Sequence, residues 1–220
     1  MRFRLPIVLL MFTLCSVTRG QVDFSTGSSY RYLKGSGAGS LPADWMTDTF
    51  NDSGWSLGNA PFRYGDGTGG LVLNDMINNY STLYLRSTFN AFSVDRIKNI
   101  LFNVNYDDGF VIWVNGTRVM SRNAPATLSS TAFAPVNHES GIFELYTLDS
   151  ADVPLVEGTN LLCIQAFNLS LNSSDFYFDL GINASLSLPE VPDSLPLNIS
   201  RDAGFCDAPF DLVITSGEPG

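Results

Sequence analysis

The chain has 220 residues, 45% hydrophobic and 12% aromatic, and its 12 Lys and Arg against 22 Asp and Glu leave a net charge of −10. That balance argues against nucleic acid and anionic lipid as partners, because neutralising phosphates needs clustered cations. Three cysteines with no CxxC, and a single histidine, argue equally against a Cys/His metal centre.

Residues 1–20 read as a signal peptide. Arg2 and Arg4 form a basic start, Leu5 to Val17 is apolar, and small residues flank a cut before Gln21. The apolar run is too short to span a bilayer and no later stretch is long enough, so secretion or cell-surface display without membrane insertion is expected. The segment carries three arginines and no acids, so its removal takes the net charge to −13. Cys15 leaves with it.

Tyr30 to Leu33 predicts a short aromatic strand, followed by a Gly/Ser loop from Gly35 to Pro42. Asp44 to Gly67 is rich in Trp, Asp, Gly and Pro and fits no helical period, yet it is too aromatic to be disordered. It predicts a long ordered loop wrapping one end of a sandwich, anchored by Trp45, Phe50 and Trp55. Asn74 to Asn78 reads as a short helical turn or loop.

Tyr80 to Phe92 alternates, with Leu83, Leu85 and Ser87 on one face and Tyr84, Arg86 and Thr88 on the other. Ile97 to Tyr106 alternates likewise. From Ile100 to Met120, three apolar runs are separated by Asp108-Gly109 and Asn115-Gly116, dipeptides that tolerate positive φ in two-residue turns. This predicts a three-stranded meander at the centre of the fold. Phe110 to Val114 is apolar on both faces, so it must be covered on both sides, or pack its second face on a loop.

Asn123 to Glu139 is a polar loop. Phe143 to Leu148, Thr159 to Asn168 and Phe176 to Leu188 predict three more strands, the second opened by the Gly158-Thr159-Asn160 turn. No long helix and no fixed-period repeat occurs. Cys163, in a predicted buried strand, and Cys206 read as free, their spacing giving no sign of a disulfide. Pro189 to Pro196 is a linker by composition, within a linker region 189–200. Residues 201–220 then open a second β unit in which Phe210, Leu212 and Ile214 alternate. One strand cannot bury itself, so the chain is expected to be the front of a longer polypeptide.

Three segments in this order carry a resemblance. They are FNDSGW with NAPFRYGDG (Phe50 to Gly67), YLRSTF (Tyr84 to Phe89) before NYDDGFVIWVNGTRV (Asn105 to Val119), and EGTNLLCIQAFN (Glu157 to Asn168). Together they resemble the galactose-binding-like jelly roll, the fold also used by the sugar-binding domain of many β-galactosidase-type glycosidases. The nearer likeness is to a module of large secreted bacterial proteins that carry lamin-tail or spore-coat-protein-H-like kinase domains. Gly204 to Phe210 is similar to the opening of a chitobiase C-terminal-like β domain, with Cys206 where an aromatic is usual. The first resemblance covers Tyr30 to Leu188 and implies an all-β sandwich; from fold to sugar it is analogy.

Five aspartates, Asp44, Asp48, Asp52, Asp66 and Asp75, crowd the long loop and its sequel. Hard carboxylate oxygens on a compact loop suit calcium, and the resemblance implies a structural calcium in jelly rolls of this class. The same aspartates equally well cap turns. Tyr64 and Tyr80 flank loop sequence and are the candidate exposed platforms for stacking on sugar rings, with Asp66 as a hydrogen-bonding companion. Trp113, inside a strand, reads as core. Asp107 and Asp108, adjacent in the chain, cannot be the facing carboxylates of a glycosidase and read as turn residues bonding their own backbone.

His138-Glu139 does not continue to a zinc-protease motif, and a loop histidine making a surface hydrogen bond is the ordinary reading. Seven Asn-x-Ser/Thr sites begin at Asn51, Asn79, Asn115, Asn168, Asn172, Asn183 and Asn198, and Asn115 is explained by its turn. The expectation is therefore a secreted, non-catalytic module. Its partners would be a polysaccharide or glycoprotein glycan and further domains of the same polypeptide. The alternatives are an accessory domain of a secreted glycoside hydrolase or kinase-like enzyme, and a structural spacer.

Overall fold

A computed structural model describes residues 21–39, 41–187, 197–199 and 214–216. Residues 1–20, expected to be a signal peptide, the Pro-rich stretch Pro189 to Pro196 and Cys206 lie outside the described residues. The chain divides into two units, Met1–Ser187 and Leu188–Gly220.

In chain order the first unit holds β1 (Gln21–Asp23), β2 (Ser29–Lys34), one helical turn α1 (Gly35–Ala38), β3 (Ser56–Asn59), β4 (Phe62–Tyr64), β5 (Leu71–Val72) and β6 (Thr82–Phe92). Then come β7 (Ile97–Asp107), β8 (Gly109–Val114), β9 (Thr117–Arg122), β10 (Glu144–Asp149), β11 (Gly158–Phe167) and β12 (Phe176–Leu186). They form two sheets packed face to face, an all-β jelly-roll sandwich. One runs β3-β2-β6-β11-β8-β9, with β1 also on β6; the other runs β10-β7-β12-β4-β5. All pairs are antiparallel except β4 with β5.

In the second unit β13 (Leu197–Ile199) pairs antiparallel with β14 (Ile214–Ser216). The first of these strands falls inside the region 189–200 read from composition as linker.

The expected central meander is not formed. β7 pairs with β10 and β12 in the five-stranded sheet, whereas β8 pairs with β11 and β9 in the other. Asp108 is thus the corner where the chain crosses between sheets, not a hairpin tip. Dipeptide statistics register the reversal and are blind to which sheet each arm joins. Asn115-Gly116 is the tight turn expected, with φ of 48° and 81°, between β8 and β9.

Alternation sorts the side chains into two apolar layers. Leu83 and Leu85 of β6, Phe110, Ile112 and Val114 of β8, and Leu162 and Ile164 of β11 face the second sheet, where they meet Phe102, Val104, Phe178 and Leu180. The opposite faces of the same strands present Tyr84, Val111, Trp113, Cys163 and Phe167, which are buried under Trp45, Trp55 and Ala38. β8 is therefore covered on both sides, its second face by a loop. Trp45 meets Trp113 edge-on at 5.3 Å and Tyr84 at 5.2 Å, and stacks on Trp55 at 6.2 Å. Edge-to-face pairs of this kind add to the area term. The 44–55 loop thus roofs the outer face of the larger sheet rather than wrapping an end, because large apolar side chains point outward there.

Candidate functional site: a charge-paired groove and an acidic corner

Two polar regions stand out in the first unit. The first lies on the outer face of the larger sheet, beside the tryptophan roof. Arg86, only 4% exposed, projects outward from β6 next to Tyr84. Its Nε donates to Asp52 Oδ2 at 2.8 Å, Nη2 to the Thr47 carbonyl at 3.1 Å, and Nη1 to the Trp45 carbonyl and to Cys163 Sγ at 3.5 Å. Asp52 also meets Arg31 Nε at 3.4 Å, and Arg31 donates to the Trp55 carbonyl at 3.3 Å. A buried guanidinium satisfied by one carboxylate and two carbonyls pins the loop to the sheet. Burial pushes the Cys163 thiol up to about 12, with Arg86 acting the other way, so this cysteine is a packing residue and no nucleophile.

Next to this network a groove of about 840 Å³ opens between the loop and the strands. Arg31, Asp48, Asp52, Thr88 and Thr159 supply donors and acceptors, and Leu57 supplies an apolar lip.

The second region is the corner at Asp108, where the β9–β10 loop and the β11–β12 loop converge. Asp108 accepts from the His138 N–H at 2.8 Å through Oδ1 and from the Leu169 N–H at 2.6 Å through Oδ2, while its own N–H donates to the Phe167 carbonyl at 2.9 Å. Its carbonyl accepts from Asn123 Nδ2 at 3.0 Å. Gly109 is required beside it, since a Cβ would lie 2.2 Å from the Asn123 carbonyl oxygen. Asp108 therefore ties two distant loops together instead of bonding its own backbone, which corrects the turn reading.

His138 stacks on Tyr106, with ring centroids 3.9 Å apart and planes 6° from parallel. Its Nδ1 faces the Tyr106 carbonyl at 3.1 Å and its Nε2 faces Glu144 at 2.8 Å. Burial acts to raise the Glu144 carboxyl, but hydrogen bonds with Tyr146 and His138 outweigh it and hold the group below its ordinary range. Both ring nitrogens are engaged, so the imidazole braces the loop.

Asp107 contrasts with its neighbour. It ends β7, is 4% exposed, and lies with Glu139 and Asp175 so that one carboxylate oxygen from each falls within 4.8 Å of the others. Burial, followed by the charges of Asp108, Asp175 and Glu139, raises its carboxyl to about 8. Asp175 is positioned by Asn168, whose Nδ2 donates to the Asp175 carbonyl at 3.0 Å, and by Gly65, whose backbone packs so closely that a Cβ would sit 2.8 Å from the Asp175 Cβ.

The anticipated sugar platforms are elsewhere. Tyr64 is 6% exposed and Tyr80 3%. The Tyr64 hydroxyl donates to the Ser173 carbonyl and accepts from Asn168, each at 2.9 Å, and the Tyr80 hydroxyl donates to Asp75 at 3.1 Å. Neither ring is free to stack on a ligand, because the flanking loops fold over them.

The five aspartates anticipated for calcium are not brought together. Asp52 is paired with arginines, Asp75 with Lys34 at 2.7 Å, and Asp44, Asp48 and Asp66 are exposed and form no converging group among the described residues. Among the described residues the trio that does converge is Asp107, Glu139 and Asp175. Residue-by-residue reading singled out Asp107 and Glu139 for other reasons and passed over Asp175. No local spacing joins three segments more than thirty residues apart; a corner between sheets is the signal, and it is tertiary.

No family model matches the chain, and no curated protein matches it. Solved structures do. A Bifidobacterium dentium β-glucuronidase is similar over 67% of this chain and 20% of its own, at 19% identity and a TM-score of 0.43. A Bacteroides uniformis β-glucuronidase is similar over 76% and 18%, at 15% identity and a TM-score of 0.49. A Ruminococcus gnavus β-glucuronidase is similar over 78% and 30%, at 12% identity and a TM-score of 0.46. The chain thus spans under a third of the length of each of these enzymes.

Proposed function

We propose that the first unit is a non-catalytic, exported attachment module of the galactose-binding-like kind that holds carbohydrate in the groove on the outer face of its larger sheet. The observation that carries this reading is the groove's chemistry. Two arginines and two aspartates balance in charge, and Asp52 is held between both guanidiniums, so donors and acceptors are fixed in place before any ligand arrives. Pre-oriented polar groups beside an apolar lip suit a neutral, hydroxyl-rich ligand, for which rigid hydrogen-bonding partners lower the ordering cost. Export rests on the basic and apolar pattern of residues 1–20.

A glycan array probed with the full chain tests this. Thr88 is exposed on the groove floor, so Thr88→Tyr fills the space without disturbing the core. Saturable binding to a defined glycan, abolished by Thr88→Tyr, is the expected result. Binding indifferent to that substitution, or none on the array, would sink the reading and leave the spacer role.

A further inference from the structure

We infer that the groove continues along the outer face of β6 as far as Phe92, whose ring is the stacking platform for a neutral, linear polysaccharide held across several of its sugars. This extension rests on the carbohydrate reading of the groove and adds to it a residue, a length and a ligand class. Phe92 ends β6 and is 46% exposed. It belongs to neither apolar layer. Single exposed hydrophobic residues are ordinary on protein surfaces, so what singles out Phe92 is the row in which it stands.

Side chains two apart on a strand share a face. Phe89 and Ala91 point into the core, so Thr88, Asn90 and Phe92 line up on the outer face, all three exposed. Thr88 already lines the groove. On β11, Thr159 donates its hydroxyl to Asn90 Oδ1 at 3.1 Å, which fixes that amide and leaves its Nδ2 for a ligand oxygen. On the other flank of β6, Asp23 of β1 pairs with Asn90. Val22 and Phe24 face the core, so Asp23 points outward beside the row. A second cleft of about 320 Å³ joins these pieces, sharing Ser29, Ser87 and Thr88 with the groove and reaching Asp23 and Ser25.

The length and chemistry of this strip define its ligand. From Arg86 to Phe92 the strand advances about 20 Å, at roughly 3.3 Å per residue, which is longer than a disaccharide. Fixed hydrogen-bonding groups stand at the Arg31–Asp52 end, hydroxyls and an amide in the middle, and an aromatic face at the far end. An aromatic ring covers the apolar C–H face of a sugar while polar neighbours take up its hydroxyls. Asp23 and Asp48 are exposed, and among the described residues neither is paired with a cation. A polymer of sugar acids is therefore repelled and a neutral one is not, in keeping with the net charge of −10.

The test is isothermal titration calorimetry of the full chain with gluco-, xylo-, manno- and galacto-oligosaccharides, each from the single sugar to the hexasaccharide, with polygalacturonate as the anionic control. In at least one neutral series the affinity is expected to climb about tenfold or more between disaccharide and hexasaccharide, as successive rings find partners along the strand. Phe92 is exposed, so Phe92→Ala keeps the fold; it should weaken the hexasaccharide about tenfold and flatten the climb, and Phe92→Tyr should restore both. A hexasaccharide affinity unmoved by Phe92→Ala yet lost in Thr88→Tyr would overturn the extension and leave the groove reading in place. So would an affinity that does not grow with chain length, or polygalacturonate binding tighter than every neutral series. Silence in every neutral series would also overturn the extension, and joined to a blank glycan array it would overturn both.

Discussion

Asp52 and Asp107 are the same residue in opposite circumstances. Asp52 lies between Arg86 and Arg31, and its charge is neutralised within the chain. Asp107 is more deeply buried and its neighbours are Asp108, Glu139 and Asp175. The first arrangement is self-sufficient and pins a loop over an apolar face. The second crowds carboxyls together and favours keeping a proton on Asp107, which is hydrogen-bonded to Asp108. A buried carboxyl is therefore informative through what surrounds it: arginines keep Asp52 paired, whereas acids make Asp107 hold its proton.

The comparison breaks most forcefully on the paired side. Trp45→Ala removes a side chain that touches Trp55, Tyr84 and Trp113, and should cost about 4 kcal/mol in urea unfolding. Arg86→Met strands the Trp45 and Thr47 carbonyls and should cost about 3 kcal/mol. The double variant should lose less than the sum, because the Trp45 carbonyl is itself an Arg86 acceptor. Full additivity would show that loop and arginine act separately.

On the unpaired side the sign reverses. The Asp107 carboxyl is raised to about 8 in the folded chain against about 3.9 when unfolded, so the folded state holds the proton more tightly. Stability from this group is complete below about pH 4 and is lost as pH climbs through about 8. Asp107→Asn should flatten that fall and gain about 1–2 kcal/mol at neutral pH. Urea midpoints across the pH range, with and without the substitution, decide it; a wild-type stability that rises over this window would contradict the placement of Asp107.

The smallest effect belongs to an exposed pair. Hydrogen bonding from Lys34 holds the Asp75 carboxyl below its ordinary range, so what this pair contributes is present above about pH 4 and lost on acidification. With both side chains partly exposed, Lys34→Ala should cost less than about 0.5 kcal/mol in the same urea assay.

Much of the fold was legible before any coordinates. Period-two alternation placed β6 and β7, and aromatic or apolar runs placed β2, β10, β11 and β12, each within a residue or two. The double-sided apolarity of Phe110 to Val114 foretold a second covering layer, but Trp45 and Trp55, read as anchors of a loop wrapping one end, were not linked to it until the structure placed them there. The candidate sites were legible only in fragments. Tyr64 and Tyr80 looked exposed because loop sequence flanks them, but exposure depends on where those loops fold.

What the sequence determined by itself is the set of longer strands, the Asn115-Gly116 hairpin and the chemistry of the tryptophan-rich loop, all of which depend on neighbours a few residues apart; the short strands β3 and β4 lie inside the stretch read as loop and β1 and β5 were not anticipated. Only the tertiary structure decided that Asp108 turns the chain from one sheet to the other. It also decided that Asp52 meets two arginines while Asp107 meets three acids. The physical reason is range: alternation and turn geometry are encoded locally, whereas the balance of a buried charge is set by groups that approach through space from distant segments.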